Sequence, residues 1–446
     1  MARVFKPGKQ PARNLPATVN HVEIDHWDHR GVGVVPGHQP VLFVNGALPG
    51  ERVDVRVDDR QKRLWRGHVS HIHSPSPDRI TPVCPLFGRC GGCQLQHVDP
   101  ERALVHKQSA LTSLLQRQCA LADVPWQAPL SGQPLAYRRK TRLAVDARRP
   151  DQRLLGFRGQ SSKTVVDVDS CPILEPQLNA LLLPLHRVLD DLKAPMAIGH
   201  ISLLSGENRV QVSVRLTRTV GEADIALWRE FAQQHECRVL LEHSDENHTV
   251  LGDDDAPMTY SPDGELHLTV TDSDFLQVNR QINQRMVAQA AHWLDLQPSD
   301  RLLDLYCGLG NFSLPLAGHC EQVLGIEGIT TMVHRAHSNA LKNGIDNARF
   351  DVADLSQPEQ LAAPISDNGF NKVLLDPARE GAYETCQSLA NSHHSHVLYV
   401  SCNPATFVRD ARVLLDGPFT LEKIGLMDMF PQTAHTELMA LFVRKH

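Results

Sequence analysis

The stretch Arg301-Leu-Leu-Asp-Leu-Tyr-Cys-Gly-Leu-Gly-Asn-Phe312 decides the fold of the C-terminal part of the chain. It has the pattern of a buried strand, a glycine turn and the start of a helix. The apolar segments QVLGIE, KVLLD and HVLYVSC follow it, each ends in a polar or turn-forming residue, and helical patterns separate most of them. This alternation predicts a parallel, doubly wound α/β sheet from about residue 271 to 446, whose ligands bind at the carboxyl ends of the strands.

The glycine turn has the features of a nucleotide-binding loop. Gly308 and Gly310 let the backbone approach a ligand closely, and Glu327, 19 residues after Gly308, ends the next strand. An acid at that position can accept hydrogen bonds from ribose hydroxyls. Ser313 occupies the last glycine position of a GxGxxG pattern, which disfavours a dinucleotide. S-adenosylmethionine has no pyrophosphate and suits the looser loop better.

Two more residues near this loop are cofactor candidates. Asp354 follows the third strand-like segment, where a carboxylate could bond the adenine amine, and the alternative for it is an ordinary helix N-cap. Tyr306 either faces the cofactor or packs in the core.

Three candidates for chemistry lie at the ends of other apolar strands of the same sheet. Cys402 comes directly after Val397–Val400, in the polar turn Ser-Cys-Asn-Pro, and Asp376 follows KVLLD. A thiol at this edge lies beside any bound cofactor, although it needs a local group that favours the thiolate, since a free cysteine has a pKa of about 8.5. For an isolated residue, a buried structural cysteine is the alternative. Glu437 begins the strand LMALFV and, taken alone, fits a surface acid equally well.

The N-terminal part predicts a different fold. Residues 17–73 alternate apolar and polar residues over short segments separated by glycine and proline, which predicts a small, OB-like all-β barrel that we place at 12–73. Such barrels commonly hold single-stranded RNA on a basic surface. The basic residues between the predicted strands are Arg52, Arg56, Arg60, Lys62, Arg63 and Arg66.

A central α+β domain is predicted at 74–270, after a Pro/Ser-rich junction at 73–82. Apolar spacing predicts a helix over 101–118, which we expect to pack on the catalytic domain, and further helices near 176–192 and 222–235. Strand-like segments such as RVQVSVRLT lie between them.

The central domain begins with a candidate metal site. Cys84, Cys90 and Cys93 lie within ten residues, and Cys171, followed by Pro172, is the best candidate for a fourth thiolate. Ferredoxin-type clusters often have their last ligand before a proline. Four thiolates can also hold a structural zinc ion, and three unligated cysteines in a loop are the remaining alternative. The spacing favours a metal without separating iron–sulfur from zinc.

Composition is that of an ordinary globular protein with two to four domains over 446 residues. No apolar run approaches the ~20 residues of a membrane span, so we expect a cytoplasmic protein, and the ten unevenly spaced cysteines suit reduced thiols better than disulfides. The net charge of -6 divides into +10 over residues 1–172 and -16 over 173–446. A positive N-terminal part favours contact with phosphates, with chance segregation of surface charges as the alternative.

Several motifs together resemble the RNA uracil C5-methyltransferase family over nearly the whole chain. They are SCNPAT around Cys402, DPAREG at 376–381, DLYCGLGNF at 304–312, FLQVN at 275–279 and HTE at 435–437. The N-terminal barrel resembles a TRAM domain, and the cysteine spacing resembles the iron–sulfur ligands of the family.

The resemblance implies a multidomain enzyme with a class I methyltransferase domain at 271–446. It implies that Cys402 is the nucleophile and Glu437 the base that removes the C5 proton. The implied cofactor residues are Gln277, Tyr306, Asn311, Glu327, Asp354 and Asp376, and the implied ligands of a 4Fe-4S cluster are Cys84, Cys90, Cys93 and Cys171.

The expected activity is S-adenosylmethionine-dependent methylation of uracil C5 in 23S rRNA, of the uracil 1939 type, through a covalent Cys–C6 adduct. The target uracil is expected to be locally single-stranded and flipped into the site, and the protein to be a monomer without a membrane partner. Another rRNA uracil or a tRNA uracil is the alternative substrate. Two other classes stay open: an RNA-binding accessory protein with an inactive methyltransferase domain, and an iron–sulfur redox enzyme that uses a dinucleotide.

Overall fold

Three sheets make up most of the molecule in the computed structural model, which describes residues 18–149, 151–244, 247–252, 256–271, 274–367 and 369–445. Residues 12–17 of the predicted barrel and the predicted change of pattern at Asp272 lie outside the described residues. No helix in these ranges is both long and apolar enough to cross a membrane.

The N-terminal sheet has six strands in the order β1-β5-β6-β4-β3-β2, and only the pair β4–β6 is parallel. Alternate residues of these strands point into one small core, for example Val53 and Val55 of β5 and Leu42 and Val44 of β4. The strands are β1 Thr18–Glu23, β2 His26–Trp27, β3 Gly33–Val35, β4 Val41–Asn45, β5 Arg52–Arg60 and β6 Leu64–Ser74.

The central region begins with a long helix and continues as a seven-stranded sheet in the order β13-β12-β11-β10-β7-β8-β9, followed by the hairpin β14–β15. Its helices are α1 Pro100–Cys119, α2 Pro176–Asn179, α3 Leu182–Asp191 and α4 Glu222–Gln234, with a 3-10 turn at Pro195–Ala197. Its strands are β7 Lys140–Arg149, β8 Gln152–Arg158, β9 Val165–Asp167, β10 Ile198–Ser205, β11 Val210–Leu216, β12 Arg238–Glu242, β13 His248–Leu251, β14 Met258–Tyr260 and β15 Leu268–Val270.

One predicted helix of this region is divided in two. The apolar pattern predicts a continuous helix near 176–192, whereas the structure has α2 and α3 with a break at residues 180–181. Pro184 has no N–H to donate to the carbonyl of Ala180, so an α-helix cannot run unbroken through this point.

The C-terminal sheet has the order β18-β17-β16-β19-β20-β22-β21. Its first five strands are parallel, as the sequence predicts, and β22 runs antiparallel between β20 and β21. The helices are α5 Arg280–Leu294, α6 Ser313–Ala317, α7 Thr330–Lys342, α8 Pro358–Ser366, α9 Tyr383–Ala390 and α10 Pro404–Asp416. The strands are β16 Arg301–Leu305, β17 Gln322–Glu327, β18 Ala348–Val352, β19 Lys372–Leu375, β20 His396–Ser401, β21 Phe419–Met427 and β22 Glu437–Arg444.

Helix α1 packs in the core of the C-terminal sheet. Asp99 caps its N-terminus by accepting hydrogen bonds from the Glu101 and Arg102 amides, and Pro100 stands at its first position, where a missing N–H costs nothing. Its buried leucines, including Leu111 and Leu115, share one apolar cluster with β16, β20 and α10. The hairpin β14–β15 packs on the opposite side of the same sheet. Segments from the middle of the chain therefore complete both sides of the C-terminal core.

Candidate functional site

The glycine turn after β16 is built so that only glycine fits at its tightest point. Gly308 and Gly310 have positive φ angles of 57° and 94°, in the region that L-residues avoid. A Cβ on Gly310 would also lie 2.8 Å from Cγ of Leu314. Tyr306 has a φ of 68° although it carries a side chain, and its amide donates to the Ile326 carbonyl over 2.9 Å. The backbone therefore turns sharply between the carboxyl ends of β16 and β17 before α6 begins.

Glu327, the last residue of β17, is tied to this turn. Its carboxylate accepts hydrogen bonds from the Gly308 amide at 3.1 Å and from the Ile329 amide at 3.0 Å. The acid is half-buried, so one side of the carboxylate remains accessible to a ligand.

Asp354 lies two residues beyond β18 and is exposed. Its carboxylate accepts from the amide and the hydroxyl of Ser356 at 3.0 and 2.7 Å, while the N-cap of α8 is Gln357. The aspartate thus closes a turn ahead of the helix instead of capping the helix. Tyr306, Glu327 and Asp354 line one cavity of about 520 Å³ at the carboxyl edge of the sheet.

Two further expected cofactor residues, Gln277 and Asn311, belong to a network around a buried tyrosine. The Tyr260 hydroxyl donates to Oδ1 of Asn311 over 2.7 Å, and the amides of Asn311 and Asn283 exchange two hydrogen bonds of 3.1 Å. The Gln277 backbone hydrogen-bonds to the same tyrosine, and its side chain is buried. Tyr260 and Asn283 cannot be predicted from the sequence, because no local pattern shows that β14 and α5 meet the glycine turn.

Strand register brings the candidate thiol and the candidate base together. Ser401 of β20 pairs with Leu438 of β22, so the next residue of one strand, Cys402, stands beside the preceding residue of the other, Glu437. Asn403 fixes the turn after the thiol: its side chain accepts from the Ala405 amide at 3.2 Å and donates to the Arg379 carbonyl at 2.9 Å. The Glu437 side chain is buried, so the reading of this residue as a surface acid is wrong.

Burial and mutual repulsion raise the pKa values of these groups. Burial, with the charges of Glu437 and Asp376, raises the pKa of Cys402 to about 11, against the opposing effect of Arg379. Burial raises the pKa of Glu437 to about 7, opposed by Lys107 and Arg379. Burial and the neighbouring Glu437 also hold the pKa of Asp376 well above its usual range. A carboxyl group that titrates near pH 7 suits general acid–base work in a water-poor site.

The four cysteines singled out by spacing line a second cavity, of about 460 Å³. Burial, together with the charges of the other thiolates, raises the pKa of Cys93 and of Cys171 to about 11. Thiolates assembled in this way repel one another, so a bound cation would stabilise the ionised set. The chemistry of the donors therefore fits a metal centre.

The cysteine loop is joined to the segment that precedes Glu437. The amides of Gln94 and Leu95 both donate to the Gln432 carbonyl, at 3.0 and 3.1 Å. Phe430, Thr433 and His435 of the same segment line the cysteine cavity. Fewer than ten residues of chain separate Gln432 from Glu437. A displacement of the cysteine loop can therefore move the candidate base.

A glycine turn and a strand-end acid on a doubly wound sheet, beside a thiol–carboxylate pair, define a methyltransferase of the class I fold. The same fold occurs in the tRNA (uracil-54, C5)-methyltransferase of Pyrococcus abyssi, solved in complex with S-adenosyl-L-homocysteine. That structure covers 95% of this chain and 100% of its own, with a TM-score of 0.72 and 23% identity.

The chain belongs to the tRNA (Uracil-5-)-methyltransferase family, whose model matches residues 101–445. It is 42% identical to a protein of Alteromonas naphthalenivorans, over 95% of this chain and 89% of the relative, and 41% identical to one of Vibrio cholerae serotype O1 over the full length of both. Each relative is named 23S rRNA (uracil(1939)-C(5))-methyltransferase RlmD.

Proposed function

We propose that the chain methylates carbon 5 of a uracil in 23S rRNA, of the uracil 1939 type, with S-adenosylmethionine as methyl donor. The observation that carries this proposal is the strand register that sets Cys402 beside the buried Glu437, at the same sheet edge as the glycine turn. Relatives about 40% identical over the whole chain support the choice of substrate.

Carbon 5 of uracil is a weak nucleophile, so the reaction needs covalent activation. The Cys402 thiolate adds to carbon 6, forming an S–C6 bond and moving the ring electrons towards carbon 5 and the O4 enolate. S-adenosylmethionine, when bound, supplies the electrophilic methyl group that carbon 5 takes up. Glu437 then takes the proton from carbon 5, and the electrons of that C–H bond expel Cys402 and restore the C5–C6 double bond.

The pKa values set conditions on this sequence. Since the thiol of Cys402 is mostly protonated at pH 7, its proton must leave as the uracil binds. The ionised neighbours that raise its pKa can receive such a proton. Glu437 must be ionised again for the last step, and its pKa of about 7 permits both states at neutral pH.

For the cofactor, we propose that Glu327 bonds the ribose hydroxyls and that Asp354 bonds the adenine amine. Tyr306 lines the same cavity, between these two acids. Gln277, Asn311 and Asp376 are proposed to contact the methionine end, since they lie on the side of the turn that faces Tyr260 and Glu437.

We propose that Cys84, Cys90, Cys93 and Cys171 hold a 4Fe-4S cluster. All four line one cavity of about 460 Å³. Cys171 stands before Pro172, as the last ligand of ferredoxin-type clusters often does. Through the Gln432 contacts the cluster would support the segment before Glu437.

We propose three domains: a TRAM-like RNA-binding barrel at 12–73, a central domain with the cluster at 74–270, and the methyltransferase domain at 271–446. The hairpin and helix α1 that pack on the last domain belong to the second by sequence. The barrel would hold RNA that flanks a flipped, locally single-stranded uracil. The Arg60 guanidinium, stacked on the Trp65 ring at 4.2 Å, is one platform suited to this task. We propose that the protein acts in the cytoplasm as a monomer.

The substitution Cys402→Ala tests the chemistry. It should abolish methylation of a 23S rRNA fragment and leave S-adenosylmethionine binding, measured by calorimetry, unchanged. Cys320→Ala, which removes another cysteine of the same domain away from the sheet edge, is the control and should stay active. Full activity of Cys402→Ala would refute the nucleophile assignment.

A tRNA uracil is the second candidate substrate, since the family model and the Pyrococcus structure carry that activity in their names. Mass-spectrometric mapping of 5-methyluridine in rRNA and tRNA from a deletion strain separates the two. Loss from 23S rRNA alone supports the proposal, and loss from tRNA alone contradicts it.

A further inference from the structure

Helix α1 has a buried lysine, Lys107, that lies near the catalytic edge of the sheet. Lys107 is 6% exposed, although a lysine is among the residues least often buried. Its Nζ donates to the His435 carbonyl over 2.8 Å and lies 4.0 Å from Oδ1 of Asp428. Lys107 is neither the proposed nucleophile nor the proposed base, and it does not line the cofactor cavity. The proposed reaction therefore does not explain why a lysine is buried here.

The segment that Lys107 contacts is the connection from β21 to β22. Met427 pairs with Glu437 across these two strands, so residues 428–436 form a closed loop with Asp428 at its start and His435 near its end. Lys107 contacts both ends of this loop. Because Glu437 follows two residues after His435, a shift of the His435 carbonyl would displace the base.

Lys107 also affects the charge of the base. Burial lowers the pKa of Lys107, while Asp428 and Glu437 both oppose this effect. Around Glu437 itself, Lys107 and Arg379 are the cations that favour the ionised form, and Asp376 and Cys402 are the groups that its charge affects in return. His435 lies between the two cations, and its Nδ1 is 3.1 Å from the Arg379 guanidinium.

Of the two cations, Lys107 has the stronger influence. Arg379 is exposed, so water and salt screen its charge, whereas a buried charge is screened much less. Asp428, whose pKa burial raises to about 6, is mostly ionised at pH 7 and pairs with Lys107, yet Lys107 still lowers the pKa of Glu437.

We propose that Lys107 is a positioning residue for the proton-removal step, which holds the β21–β22 loop in place and favours the ionised form of Glu437. The inference rests on the proposed function, since it concerns the step that resolves the covalent RNA adduct. Without the ammonium group, burial would favour the protonated acid, and the base would act only at higher pH.

The test follows decay of the covalent adduct in single-turnover reactions between pH 6 and 9. Cluster-loaded enzyme reacts with a 23S rRNA fragment and S-adenosylmethionine, and the adduct appears as a slow band on a denaturing gel. In Lys107→Met we expect decay at pH 7 to slow about tenfold and to recover towards pH 9, since an opposite charge nearby lowers the pKa of a carboxyl by about 1–3 units. In Glu437→Gln, decay should be slow at every pH.

Lys372→Met is the matched control. Lys372 is a second buried lysine against the same sheet. Its Nζ donates to the Leu294 and Asp295 carbonyls and pairs with Asp300, each at 2.7 Å, at the opposite end of the strands from the catalytic edge. Its removal should lower the melting temperature and leave the pH profile of decay unchanged. Lys107→Arg, which retains the charge, should keep the wild-type profile.

Each outcome decides the inference. Equal slowing of Lys107→Met at all pH values would show a merely structural role, and wild-type decay at pH 7 would show no role. If Lys107→Met does not fold, a displaced profile in folded Lys107→Arg overturns the proposal, and a retained one supports it. Failure of the wild-type enzyme to form an adduct or methylate RNA would instead count against the proposed function.

Discussion

The electrostatic surroundings of Cys402 predict an unusually unreactive thiol in the absence of RNA. Burial and the charges of Glu437 and Asp376 raise its pKa from 9.0 to about 11. Two pKa units correspond to about a hundredfold less thiolate at neutral pH. We therefore expect the rate of alkylation by iodoacetamide, followed by mass spectrometry of the Cys402 peptide, to rise with pH up to an inflection near 11.

Glu437→Gln separates the contribution of charge from that of burial. The substitution keeps the shape of the side chain and removes its charge, so the inflection of Cys402 should move to lower pH by about one unit. Because burial remains, it should stay above 9. The position of the inflection is the readout, since restricted access of the reagent slows the reaction at all pH values. An inflection below 9 in the wild-type protein, or no shift in Glu437→Gln, would show that these charges do not control the thiol.

Three further predictions concern stability and cofactor binding. Arg79→Ala should destabilise the N-terminal sheet by about 3–5 kcal/mol in urea denaturation, because it leaves the fully buried carboxylate of Glu51, which it contacts at 2.5 and 2.8 Å, without its charge partner. Gly310→Ala should weaken binding of S-adenosylmethionine more than Gly308→Ala in calorimetry, since both positions have positive φ but only the former would set a Cβ against Leu314. Burial raises the pKa of Asp304 from 3.8 to about 7, so the folded chain binds the extra proton and loses stability as pH rises from about 4 to 7. Between pH 5 and 8 this loss is on the order of 3 kcal/mol, and Asp304→Asn should remove it when the free energies of unfolding in urea at the two pH values are compared.

Four of the five parallel strands of the C-terminal sheet can be predicted because each of them carries a local signal. RLLDL, QVLGIE, KVLLD and HVLYVSC are continuous apolar runs with a polar end, as strands buried on both faces require. The break between α2 and α3 was missed, although Pro184 marks it, because apolar spacing alone predicts a single helix. The packing of the β14–β15 hairpin in the C-terminal core has no local signal, because the side chains that it meets lie far away along the sequence.

The site, like the fold, combines residues that a local sequence signal predicts with residues that no local signal predicts. The positions of Cys402, Glu327 and the glycine turn follow from strand ends, which the sequence shows. The burial of Glu437 depends on β22 lying between β20 and β21, and strand order within a sheet has no local signature. Lys107 was missed for the same reason, since on α1 alone it has the spacing of an ordinary polar residue between apolar ones.

Burial also changes the meaning of the charge distribution. The formal charge of -16 for residues 173–446 counts every acid as ionised, yet Asp304 and Glu437 titrate near pH 7 and Asp376 above its usual range. These acids cluster at the carboxyl edge of the sheet, which is where an RNA phosphate backbone would have to approach. Partial protonation there, with the cations Lys107 and Arg379 alongside, reduces the repulsion that the formal charge suggests.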